Sequence, residues 1–155
     1  MFFITGMSTF TWVLIIYIGL NLGDDIMLPL FKSFFDKGHN VTNILHFPVL
    51  IHTFPAGHKF TVYIKELFLI VGSLALFIEI AKAATANKFG ASETLLSFIV
   101  SMIFIVMFFM VSWAQNATFL ILAMMSLIDA TGGFIIELNA ARRDVNIVGG
   151  GGILG

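Results

Sequence analysis

One carboxylate stands out in this 155-residue chain, because almost nothing around it is polar. Asp129 and Glu93 are separated by 35 residues, none of them charged. A membrane-spanning helix needs roughly 20 mainly apolar residues, so this stretch suits one span plus much of another. Asp129 then falls near the middle of the second. A carboxylate at that depth costs roughly 2.5–3.5 kcal/mol on insertion scales. It must face the protein and find a partner, or be protonated. Two readings follow: an interhelical hydrogen bond that locks a bundle, or a proton or cation site. Folding the chain back about residues 115 and 87 sets Asp129 level with Ser101, and Ser101 level with Ser73. These three residues are the expected polar layer, since a hydroxyl can serve either protonation state of an acid.

The other candidates for chemistry are histidines. His46, His52 and His58 recur six residues apart, with His39 upstream and Asp24, Asp25 and Asp36 nearby. Imidazole and carboxylate are ligands for Zn, Cu or Fe, so a membrane enzyme with a metal site in the 39–58 loop is one reading. The competing reading is a set of interfacial histidines. A six-residue spacing does not line one helix face, and no H-E-x-x-H pattern occurs. No histidine falls in an expected span, so a haem held between helices is not expected. The cofactor is otherwise unassigned. No G-x-S-x-G or phosphate-binding glycine loop is found. Cysteine is absent, which excludes disulfides and thiolate metal sites.

Positioning Asp129 requires a membrane. Of all residues, 59% are hydrophobic and only 11% charged, against roughly 45–50% and about 25% in soluble domains. The net charge of −1 gives no basic surface for nucleic acid. Four apolar segments read as spans, at about 2–22, 60–82, 92–113 and 117–138. The first lacks the basic start and small-residue cleavage pattern of a secretory signal and reads as a retained helix. The polar 83–92 turn and the short 114–117 turn fix antiparallel neighbours. Between the first two spans lies a long connection holding Pro29, Pro48 and Pro55. Its runs around Leu28 and Val49 are too apolar for water. It is expected to lie along the interface, with a short amphipathic helix over Leu30–Lys37.

Thr131, Gly132 and Gly133, with Gly72 and Ala75, read as a tight packing seam. Glu79, Lys82, Lys88, Glu93, Glu137, Arg142 and Arg143 fall near one interface. They read as a solvated ion-pair belt, or else as a headgroup or partner contact. Lys82 and Lys88, at and in the 83–92 turn, and the arginine pair favour that side, which holds both termini, being cytoplasmic. Asn40-Val41-Thr42 and Asn116-Ala117-Thr118 match the glycosylation pattern.

The expectation is an all-α membrane protein: a four-helix transmembrane bundle in one domain, 1–148, with a long apolar interfacial loop between helices 1 and 2 and a flexible glycine-rich tail, 149–155. The expected setting is the bacterial inner membrane. The expected role is non-catalytic, as an accessory or scaffold subunit that meets lipid and other membrane subunits or copies of itself. The alternatives are a small proton- or cation-coupled transporter acting through Asp129, and the histidine-loop metal enzyme.

Overall fold

The computed structural model describes residues 8–35, 41–85 and 91–149. The protein is mostly helical. Its α-helices are α1 (Thr9–Leu22), α2 (Asp24–Phe35), α3 (Ile64–Thr85), α4 (Ala91–Met110) and α5 (Ala117–Gly149). Among the described residues two helices are long and apolar enough to cross a membrane, over Ser92–Met110 and Ala117–Asn139, and the bent pair α1–α2 would make a third as one broken span. Helices α4 and α5 pack along each other, α3 lies against α5, and α1 covers α3.

Helix α1 starts at Ser8, whose hydroxyl accepts the Phe10 N–H. It stops at Gly23. A β-carbon there would lie 2.9 Å from the Gly19 carbonyl oxygen, a backbone contact that cannot give way. The chain then turns by 90° into α2, whose first turn carries Asp24 and Asp25. Acids are favoured at that end of a helix. Asp24 also accepts the Ile44 N–H at 2.8 Å, which ties the following segment back to the bend.

The connection between α1 and α3 is therefore built, not a loop alone. After α2 comes a 3-10 turn, Ile44–His46. Then β1 (Pro48–Thr53) pairs antiparallel with β2 (Lys59–Tyr63), so the all-α expectation is corrected by a hairpin. The turn explains it. The Phe54 carbonyl accepts the Gly57 N–H at 2.9 Å, Pro55 sits where its fixed φ is favoured, and Gly57 takes φ 83°. That is a tight turn followed by a left-handed glycine, a common three- to five-residue hairpin connection. The second expected span is shortened accordingly: helix begins at Ile64, not Phe60. Glu66 reaches back to the Tyr63 N–H at 2.9 Å, as in a capping box.

The core lies at the hairpin end. Tyr17, Phe68, Phe104, Phe119 and Leu122 are buried there, with Tyr17 edge-on to Phe68 at 5.0 Å and Phe104 at 5.2 Å from Phe119. Asn116 caps α5 by accepting the Phe119 N–H at 2.9 Å, and its amide donates to the Trp113 carbonyl and to the Tyr17 hydroxyl. The apolar surface left over is large. Phe77 is 71% and Met110 79% exposed, with Ile70, Leu74, Ile99, Val106, Met124 and Ile135 also exposed. Water would not tolerate such faces; lipid does. The protein is consistent with an integral membrane protein.

Helix α5 runs on through Asn139–Asp144 to Gly149, past the expected exit at Leu138. Residues 1–7, 36–40, 86–90 and 150–155, with His39 and most of the glycine tail, lie outside the described residues.

Candidate functional site

Polar side chains from four helices meet at the end of the bundle opposite the hairpin. The Ser8 hydroxyl donates to Asp129 Oδ2 at 3.1 Å. The Ser97 side chain on α4 lies close enough to act on this carboxylate. Beside it, Glu79 Oε1 accepts the Thr9 N–H at 2.8 Å and the Thr9 hydroxyl. Its other oxygen accepts from Lys82 Nζ at 3.0 Å. Glu79 and Lys82 both act electrostatically on Asp129. An acid expected in a solvated belt is thus turned half inward to hold the start of α1.

The mid-depth layer of Ser73, Ser101 and Asp129 does not form. Ser73 is exposed and its hydroxyl donates to the Ile70 carbonyl of its own helix. Ser101 is buried between helices, 1% exposed, with no hydrogen-bond partner among the described residues. The reason is the turn after α4. Helix α4 ends at Met110, a 3-10 turn takes Ser112–Ala114, and α5 starts at Ala117. Halfway between 110 and 117 is 113.5, so the pair folds back earlier than residue 115. Asp129 moves one helical turn along α4, from Ser101 to Ser97. The same arithmetic for α3, ending at 85, and α4, starting at 91, sets Glu79 level with Ser97.

Only part of the expected small-residue seam lies at a contact. A β-carbon on Gly72 would fall 2.6 Å from Leu122 Cδ2, and Ala75 is buried. These residues let α3 approach α5. Gly132 faces open space. The Thr131 hydroxyl bonds back to the Leu127 and Ile128 carbonyls. Gly133 packs near Thr94, whose hydroxyl oxygen is 3.8 Å from where its β-carbon would be.

The histidines do not converge. His46 ends the 3-10 turn, His52 sits on β1 opposite Phe60, and His58 lies at the hairpin turn. All three are exposed. Among the described residues no three His, Asp or Glu groups come close enough to hold a metal. Asn116, in the second glycosylation pattern, is committed to the α5 cap.

Ser8, Thr9 and Ser97 escaped the sequence reading, as did Tyr17 at the other end, while Glu79 and Asn116 were read in other roles. Ser8 had a signal: a serine just before an apolar run is a favoured helix start. No protein-family model, curated protein or solved structure matches the chain.

Proposed function

We propose that this protein is a non-catalytic, multi-pass membrane protein whose helices α1, α3, α4 and α5 cross the bilayer, and that it serves as an accessory or scaffold subunit of a larger membrane assembly. The observation that carries this reading is the outer face of α4. Leu95, Phe98, Ile99, Met102, Ile103 and Val106 line a groove of about 400 Å³ with no polar lining. In lipid, helices associate by close packing, and such a groove suits a partner helix. The described polar groups support the same view, because most of them fasten helices to each other. In this reading the ends carrying Ser92 and Arg142 face the cytoplasm. Purification in mild detergent is expected to recover a partner membrane chain in fixed ratio, and Met102→Trp is expected to abolish that recovery without loss of the fold. A chain that stays alone in nanodiscs drawn directly from its native membrane would contradict the reading.

A second reading is supported by the meeting of Asp129 and Glu79 at the end of otherwise apolar helices. In that reading the protein is a small proton- or cation-coupled transporter. Counterflow of pH in proteoliposomes, compared between the native chain and Asp129→Asn, tests it. Equal proton flux in the two would remove it.

A further inference from the structure

The polar end of the bundle holds more hydroxyl groups than its fastening role requires. Thr94, Ser97 and Ser101 stand at i, i+3 and i+7 on α4, in one stripe facing α5. Across from them α5 presents Ser126, Asp129 and Gly133, one turn apart. Ser97 lies beside Asp129. The hydroxyls on either side, Thr94 Oγ1 and Ser101 Oγ, are buried, 6% and 1% exposed, and have no hydrogen-bond partner among the described residues. Buried hydroxyls in an apolar seam are costly to leave unpaired. Side chains on successive helical turns are about 5–6 Å apart at their β-carbons, too far for a direct bond and a distance that one bridging water spans.

The charges at this end do not cancel. Asp129 faces Glu79 and Lys82 from α3, and only hydroxyls, Ser8 from α1 and Ser97 from α4. Glu93 on α4 is exposed. On α5 no other charge occurs between Ala117 and Ile136. Among the described residues two acids and one lysine leave one negative charge, and a charge withdrawn from water favours neutralisation. Among the described residues no three acids or histidines converge here as ligands.

We propose that Asp129 is a proton-binding residue, with Glu79 and Lys82 setting its charge balance and the hydroxyls of Thr94 and Ser97 carrying its proton through water. The proton enters from water at the Lys82 end, where that side chain is half exposed. It forms an O–H bond on the Asp129 carboxylate; nothing is oxidised or reduced. The Ser8 hydroxyl, a donor to the ionised acid, then turns to accept, which a hydroxyl can do without moving its oxygen. The inference needs the bundle in a bilayer but not the subunit reading, and either can fail alone.

The test is infrared difference spectroscopy of the full chain in lipid nanodiscs while the pH is stepped. The expected result is one protonated-carboxyl band that titrates, vanishes in Asp129→Asn and persists unchanged in Glu93→Gln. Glu79→Gln removes the neighbouring negative charge and is expected to move the midpoint to lower pH by about one unit. Thr94→Val is expected to slow equilibration several-fold with the midpoint unmoved, whereas Ser101→Ala, on the far side of Asp129 from the entry, is expected to leave the rate unchanged. Labelling the native protein with aspartate carrying 13C in its side-chain carboxyl shifts the band without any substitution, and its persistence in Asp24→Asn, Asp25→Asn, Asp36→Asn and Asp144→Asn leaves Asp129 as the carrier even if Asp129→Asn fails to assemble. A band that ignores the aspartate label, or no titrating band, would overturn the proposal. So would sodium displacing the band at constant pH, because the site would then bind a metal cation.

Discussion

The two ends of the bundle are held together by different chemistry. At the hairpin end, Tyr17 is fully buried against Phe68 and Phe119, and its hydroxyl is shared with Asn116, which also caps α5. Tyr17, Asn116 and the rings they join are neutral, and the acids at that end, Asp24 and Glu66, are spent on backbone N–H groups. At the opposite end, Asp129 and Glu79 are held by hydroxyls and one lysine. Neutral aromatic packing gains from burial and needs little hydrogen bonding. Carboxylates lose on burial and must be compensated. The first arrangement stabilises; the second persists at a cost.

Substitutions can break this contrast. Tyr17→Ala should be the most damaging, removing the ring that Phe68 and Phe119 pack on, for about 3–5 kcal/mol. Thermal unfolding in detergent reads it. Equal damage from Tyr17→Phe would show that the hydroxyl, not the ring, holds this end. Gly72→Ala comes next. The added methyl meets Leu122, itself fully buried, and overpacking of this kind costs about 1–3 kcal/mol. Unchanged stability would mean that α3 and α5 lie farther apart at this level. Asn116→Ala should cost about 0.5–2 kcal/mol through the lost cap. Asp129→Asn should change stability least. It keeps a side chain able to bond Ser8 and Ser97, and hydrogen bonds between membrane helices average only about 0.6 kcal/mol in one well-measured membrane protein. A loss as large as that of Tyr17→Ala would collapse the contrast.

The membrane was legible in the sequence, because 35 consecutive residues without a charge suit lipid and not water. Asp129 stood out for the same reason. The partners of Asp129 were not legible at one-turn precision. Their level depends on where helices end, and the 3-10 turn at Ser112–Ala114 uses residues that a tight turn would have left in the helices. Ser8 was hidden because an N-cap serine 121 positions away has no periodicity to announce it. The hairpin had a visible signal that was outweighed. Phe54-Pro55-Ala56-Gly57 separates two runs rich in β-branched and aromatic residues, the pattern of a turn between strands, but the surrounding greasiness read as interfacial loop. The histidines form a pattern in sequence that the hairpin scatters in space.

A bundle that spans the bilayer must place its hairpin end and its carboxylate end on opposite faces. The chain has no cysteine, so single-cysteine variants can be labelled without background. Membrane-impermeant thiol reagent applied to sealed vesicles of one orientation should mark His58→Cys and Gln115→Cys from one side, and Ser92→Cys and Arg142→Cys only from the other. Labelling of Gln115→Cys and Ser92→Cys from the same side would contradict this arrangement.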